Sequence, residues 1–215
     1  MYRELKEISR LQFITSDDSD LNHLEQIKLV LDNGIKWVQL RAKNRAPQEL
    51  LKLAEEAKEI LQSYEAKLII NDNHLVASMV LADGVHLGKD DETPENARKF
   101  LLNEIIGGTA NSIEDVRRIE KHVDYIGLGP LRFTNTKKNL SPILGLLGYE
   151  KLIHEMQLNI PVVAIGGVVI EDIEGLMKTG VHGIAISGAI LKSQNPNEKI
   201  KQFIKELEQY ESVKS

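Results

Sequence analysis

Short apolar runs alternate along this chain with longer segments of helical period, and the polar residues collect where the apolar runs end. The runs are LQFIT (11–15), WVQLR (37–41), KLIIN (67–71), GVHLG (84–88), EIIGG (104–108), DYIGLG (124–129), PVVAI (161–165) and GIAIS (183–187). They are nearly continuous in apolar character, which predicts strands buried on both faces, as in an all-parallel sheet. Between them lie segments that read as helices. The first, LNHLEQIKLVLDNG, closes at Gly34, and the second runs from Pro47 through ELLKLAEEAKEILQSY. Shorter helices are predicted on HLVASMVLA, from Thr93 and Pro94 to Leu102, and after Ser112, an N-cap residue with Asp115 in the acidic first turn. The last three are predicted near Tyr149–Glu155, from Glu171 to Lys178, and on NEKIKQFIKELEQY.

Eight strand–helix units predict a (β/α)₈ TIM barrel, a single domain over 1–215. Residues 1–10 form an N-terminal extension, and the tail ESVKS (211–215) is expected to fray. An open doubly wound sheet would call for a G-x-G-x-x-G turn after an early strand, and the chain has none. In a parallel barrel all strand C-termini open on one mouth, so the polar strand ends are predicted to gather there.

Composition narrows the partners. A net charge of −5 argues against bulk electrostatic binding of nucleic acid, so any anion must be captured by a local cluster of cations. One Trp and few aromatics offer no base-stacking platform. No apolar run approaches the roughly 20 residues of a membrane span, and MYRELKEISR lacks the apolar region of a secretory signal. The absence of cysteine removes disulfides, thiolate metal sites and a Cys nucleophile, and fits a cytoplasmic protein.

The strand ends carry the candidate chemistry. Gln39, Arg41 and Lys43 alternate and so share one face of an extended segment, where the two cations could meet an anion. The same spacing also serves a salt bridge to a carboxylate such as Asp72. Asn71-Asp72 closes the third strand and Asp90-Asp91 follows the fourth. Oxygen ligands without His or Cys suit Mg²⁺, which commonly takes one or two carboxylates plus phosphate oxygens and water. An Asp pair before a helix is equally at home as a solvated loop. Thr134, Thr136, Lys137 and Lys138 lie in the longest loop (131–147), where hydroxyls and ammonium groups suit phosphate oxygens and a lid, or make a solvated basic loop. Gly166-Gly167 and Ser187-Gly188 end the seventh and eighth strands, the usual phosphate corner of such barrels. His86, between Val85 and Leu87, reads as a satisfied core or rim histidine. The other histidines show no metal spacing, and no G-x-S-x-G, P-loop or H-E-x-x-H occurs.

Taken in order, these residues resemble the thiamine-phosphate synthase (thiamine-phosphate pyrophosphorylase) family over nearly the whole chain. QLRAK is similar to its Q-L-R-x-K, IND to its N-D, and GVHLGKDD to its G-x-H-x-G-x-x-D. GLGPLRFTNTKK is similar to its G-x-G-P…T-x-T-K, and AIGGV to its I-G-G turn. The resemblance implies a transferase that joins 4-amino-2-methyl-5-(diphosphooxymethyl)pyrimidine to 4-methyl-5-(2-phosphooxyethyl)thiazole, giving thiamine phosphate and pyrophosphate. It implies that Gln39, Arg41, Lys43 and Asn71 hold the pyrimidine diphosphate, with Thr109 touching its diphosphate. Asp72 and Asp91 would bind Mg²⁺, with Asp90 a bystander. Thr134 and Thr136, with Gly167, Ser187 and Gly188, would hold the thiazole phosphate, and Lys137 the leaving diphosphate. Arg41, Lys43 and Lys137 would be the catalytic cations, the partners small molecules, and a homo-oligomer possible. Two departures stand out: Thr109-Ala110-Asn111 replaces the family's Ser-x-His, and Gly188 falls where the family often has Ser. The rival readings are a thiazole tautomerase paralogue, which would need no diphosphate cations, and a noncatalytic barrel that binds phosphate ligands.

Overall fold

The computed structural model describes residues 6–133 and 142–210. Eight parallel strands close in sequence order, β1 (Leu11–Ile14), β2 (Trp37–Leu40), β3 (Lys67–Asn71), β4 (Gly84–Leu87), β5 (Ile105–Ala110), β6 (Tyr125–Leu128), β7 (Val162–Ala164) and β8 (Gly183–Ile186), with β8 pairing back onto β1. The predicted (β/α)₈ barrel is therefore the fold. The helices lie outside: α1 (His23–Asp32), α2 (Pro47–Ser63), α3 (His74–Met79), α4 (Pro94–Ala97), α5 (Ile113–Ile119), α6 (Gly145–Met156), α7 (Ile173–Lys178), α8 (Gly188–Leu191) and α9 (Pro196–Glu208).

Alternation within each strand divides two cores. Val38, Leu40, Leu68, Ile70, Val85 and Leu87 face the helices and pack with buried residues such as Ala54, Ala57 and Leu61 of α2. The other set, including Ile14, Trp37, Ile69, Ile105, Tyr125 and Val163, fills the barrel interior, with Ile8 of the segment before β1 among them. This explains the continuous apolar strands: both faces are buried, one by helices and one by the barrel's own side chains.

Local chemistry sets most boundaries. Asn22 caps α1 and forms a reciprocal capping box with Glu25, Pro47 opens α2, and Ser112 caps α5 by accepting from the Asp115 N–H at 3.2 Å. The helix expected to reach Leu102 ends at Ala97. Arg98 folds its guanidinium onto the carbonyls of Leu101 and Glu104, at 2.9 and 2.7 Å, and the chain continues in tight turns. α6 begins four residues before Tyr149, and α8 is an extra helix between β8 and the final helix. Strand β5 runs two residues past Gly108, because Thr109 and Ala110 pair with Gly127 and Leu128 of β6.

Candidate active site

The strand ends open on a cleft of about 390 Å³ lined by Arg41, Thr109, Gly167, Ser187 and Gly188, five residues singled out in the sequence. They come from β2, β5, β7 and β8 or the turns that follow, so the closure of the barrel is what brings them together.

Arg41 follows β2 and is held by its backbone. The Thr15 hydroxyl accepts from the Arg41 N–H at 2.9 Å and donates to its carbonyl at 3.3 Å. His23 Nε2 stands 3.1 Å from the same carbonyl and 3.3 Å from Asp17. Burial lowers the pKa of His23, against the raising effects of that carbonyl and of Asp17. Asp17 also accepts from the Lys43 N–H at 3.0 Å. The β1–α1 loop thus fixes the segment that carries both cations. Sequence reading did not single out Thr15, Asp17 or His23, although Thr15 is itself the polar end of the first strand run.

Lys43 Nζ reaches Asp72 at 3.4 Å, which realises the salt bridge weighed from the sequence, and neither residue, nor Asp91, is among those lining the cleft. Asp72 holds a left-handed backbone (φ 65°), a conformation Asp tolerates better than bulkier residues, and its N–H donates to the His86 carbonyl at 2.8 Å. Its carboxyl is pushed up to about 6 by burial and then by the hydrogen-bonded Asp91 carboxylate, with Lys43 opposing. Asp91 accepts from the Gly88 N–H at 2.6 Å, and a Cβ at Gly88 would sit 2.8 Å from that same oxygen. Asp90 is exposed, which separates it from the facing pair.

Two carboxylates forced together, one with a raised pKa, make an oxygen-only donor set that a hard divalent cation would neutralise. Among the described residues no group of three or more His, Cys, Asp and Glu side chains is placed to hold a metal. The pair matches the small protein contribution that Mg²⁺ accepts when phosphate and water complete its shell.

The cleft wall formed by the β7 and β8 ends suits a phosphate. Gly166 and Gly167 both have left-handed φ, 92° and 78°, and a Cβ at Gly166 would lie 2.5 Å from Pro130 Cβ. The Ser187 hydroxyl oxygen is buried in this wall and has no hydrogen-bond partner among the described residues. A Cβ at Gly188 would meet nothing tighter than ordinary contact, with Lys192 side-chain atoms at 3.9 Å. Arg132 donates to the Gly167 carbonyl at 2.5 Å and forms a two-pronged pair with Asp172 at 2.6 and 2.5 Å. Neither Arg132 nor Asp172 was singled out in the sequence.

Other expectations fall elsewhere. Gln39 is buried beneath the mouth and donates to Gln12 at 3.2 Å. Asn71 ends β3 half-buried. Asn111, where the family's His would stand, lines the cleft and accepts from Lys89, which also pairs with Asp115 at 2.5 Å. Thr134, Thr136, Lys137 and Lys138 lie outside the described residues, as do the rest of 134–141 in the proposed lid and the tail expected to fray. His86 is satisfied on both ring nitrogens, as the sequence led us to expect. Among the described residues no helix is long and apolar enough to cross a membrane.

Known proteins resemble this chain over most of its length. Residues 11–190 match the family described as Thiamine monophosphate synthase. A thiamine-phosphate synthase of Bacteroides fragilis is 47% identical over 199 residues, covering 90% of this chain and 98% of that protein. One from Flavobacterium johnsoniae is 45% identical over 204 residues, covering 93% and 96%. The solved structure of a thiamine phosphate pyrophosphorylase from Pyrococcus furiosus superimposes with a TM-score of 0.84 at 30% identity, covering 94% of this chain and 97% of that one.

Proposed function

The chain belongs to the thiamine monophosphate synthase family, whose named relatives are transferases of thiamine biosynthesis, and from that premise we propose the reaction it carries out. The barrel joins 4-amino-2-methyl-5-(diphosphooxymethyl)pyrimidine to 4-methyl-5-(2-phosphooxyethyl)thiazole and releases thiamine phosphate and pyrophosphate. The observation that carries this reading is the pairing of two ligand-ready ends in one mouth. Lys43, Asp72 and Asp91 suit a diphosphate with its cation, while the Gly166-Gly167 turn and the buried Ser187 hydroxyl suit a monophosphate.

Arg41 and Lys43, with Lys137, hold the diphosphate and take up its charge as the methylene C–O bond breaks and the electron pair leaves with it. Asp72 and Asp91 would hold Mg²⁺, which would supply positive charge to the departing diphosphate. The electron-rich aminopyrimidine stabilises the cationic methylene, and the thiazole nitrogen then supplies the pair that forms the new C–N bond. Gln39 and Asn71 orient the pyrimidine diphosphate, and the Thr109 hydroxyl touches its diphosphate. Gly167, Ser187 and Gly188, with Thr134 and Thr136, hold the thiazole phosphate so that its ring faces the reacting carbon. No strong base is required, which accords with the absence of a triad in the sequence. The rate comes from preorganised charge, of which one donor is typically worth about 3 kcal/mol.

The test is pyrophosphate release by purified protein given both substrates, with and without Mg²⁺. Release that needs both substrates and the metal, with thiamine phosphate formed in equal amount, is the expected result. Release with the pyrimidine alone, or turnover of the thiazole phosphate alone, would overturn the reading.

A further inference from the structure

Beneath the cleft the barrel interior holds a continuous polar column. Thr109 Oγ1 lies 2.9 Å from His86 Nε2, and His86 Nδ1 lies 2.9 Å from the Tyr125 hydroxyl. Gln12 Nε2 donates to that hydroxyl at 3.3 Å, and Gln39 Nε2 donates to Gln12 Oε1 at 3.2 Å. Gln12, Gln39, His86 and Tyr125 are each at most 5% exposed, whereas Thr109 reaches the cleft. Two glycines make room for the rings. A Cβ at Gly107 would lie 2.2 Å from Tyr125 Cζ and 2.6 Å from His86 Nδ1, and one at Gly127 would lie 2.8 Å from His86 Cε1.

Starting from the glutamine amides, one consistent direction can be traced through this column. An amide nitrogen only gives protons, so the Tyr125 oxygen accepts from Gln12. Burial raises the pKa of Tyr125, so the phenol keeps its proton, and His86 Nδ1 is the acceptor beside it. A neutral imidazole that accepts at Nδ1 carries its proton on Nε2 and donates it to Thr109 Oγ1. Having accepted there, the Thr109 hydroxyl directs its own proton away from the ring. A doubly protonated ring would instead leave the buried phenol facing a second donor, which disfavours it.

We propose that His86 is a positioning residue, held by Tyr125 in one tautomer so that Thr109 presents its hydroxyl as a hydrogen-bond donor to an anionic oxygen in the cleft. The identity of that oxygen, on the pyrimidine diphosphate, rests on the function proposed above. The column also gives Thr109 a defined direction although its neighbour Asn111 replaces the family's His.

The first test needs no turnover. Ring ¹⁵N NMR of the full-length protein at about pH 8, above the ordinary imidazole range, is assigned to His86 by comparison with His86→Gln. Protonated Nε2 with bare Nδ1 is expected in the wild type, and loss of this single tautomer in Tyr125→Phe. A proton on Nδ1 in the wild type would overturn the proposal, as would an unchanged tautomer in Tyr125→Phe. Kinetics supply the second test. Thr109→Val should lower kcat/KM for the pyrimidine diphosphate roughly tenfold or more, the loss expected of a hydrogen bond to a charged group, and Thr109→Ser should retain most of it. His86→Gln should cause a similar loss and add little in the Thr109→Val background. Multiplying losses in the double variant would show that His86 acts by another route. Should the wild type fail to make thiamine phosphate, the reaction assigned to the cleft falls, while the tautomer measurement still decides the role of His86.

Discussion

The ammonium of Lys43 stands 3.4 Å from the carboxylate of Asp72, yet that carboxylate remains harder to ionise than an ordinary one. Burial and the adjoining Asp91 outweigh the cation. A carboxyl with a pKa near 3.8 when unfolded and about 6 when folded contributes stability below the lower value, and loses it as pH rises through the upper one. Asp72→Asn should therefore melt at or above the wild-type temperature in metal-free buffer, with the gap opening between about pH 4 and 6. Mg²⁺ should raise the melting temperature of the wild type alone, and pyrophosphate release should be nearly abolished in the variant. Thermal melts across this range, with and without MgCl₂, check it. A variant clearly less stable than the wild type at neutral pH would make Asp72 a structural residue.

Thr15 is 1% exposed and closes both hydrogen bonds on the Arg41 backbone. Thr15→Val keeps the shape and removes the oxygen, leaving the Arg41 N–H without that acceptor. A loss of about 1–2 kcal/mol in stability is expected from denaturant unfolding. The loss of activity should be larger than this implies, because in the proposed reaction the Arg41 side chain needs its backbone fixed to meet the diphosphate. An unchanged kcat/KM at the cost of stability alone would limit Thr15 to the fold.

The barrel was legible because its strands differ so sharply from its helices. Runs such as KLIIN and GVHLG are buried on both faces, and the cap at Ser112 and the first-turn Pro47 lie where the sequence placed them. What escaped was set by tertiary contacts. The side chain of Arg98 turns onto two carbonyls beyond α4, and the four residues of α8 are too few to show a period. The site divided in the same way. Arg41, Asp72, Asp91 and Ser187 were visible as polar groups ending apolar runs, and the facing of Asp72 with Asp91 follows from adjacent strands. Arg132 and Asp172 are 40 residues apart, and nothing local in either segment announces their contact. Gln39 shows the limit of spacing arguments, since its side chain joins the interior column rather than the cleft lining.

The glycines of the phosphate wall should separate fold from binding. Gly166 has φ 92°, and an added methyl would meet Pro130 at 2.5 Å, so Gly166→Ala should cost about 2 kcal/mol or more. A Cβ at Gly188 would make only an ordinary contact at 3.9 Å with Lys192, so Gly188→Ala should melt close to the wild type. Its effect should appear instead as a higher KM for the thiazole phosphate, with KM for the pyrimidine diphosphate little changed. Equal destabilisation of the two variants would remove the distinction between a built turn and a surface left open for ligand.

Arg132 joins the start of the β6–α6 connection to the turn after β7. Its backbone N–H donates to the Gly166 carbonyl at 3.1 Å, and its guanidinium holds both the Gly167 carbonyl and Asp172. Asp172 in turn accepts from the Val169 N–H at 2.8 Å, so one carboxylate ties the arginine to the backbone that follows the Gly-Gly turn. The Arg132 side chain is 44% exposed but Asp172 only 11%, so Arg132→Ala should cost about 1–3 kcal/mol in stability, as expected when a buried charged group loses its partner. The kinetic effect should be selective. Loosening the Gly167 carbonyl disturbs the wall assigned to the thiazole phosphate, so KM for that substrate should rise several-fold while Mg²⁺ dependence stays as in the wild type. Asp172→Asn, which keeps the shape but weakens both contacts, should shift the same KM in the same direction. A change confined to the pyrimidine diphosphate would place the arginine's influence on the other side of the mouth.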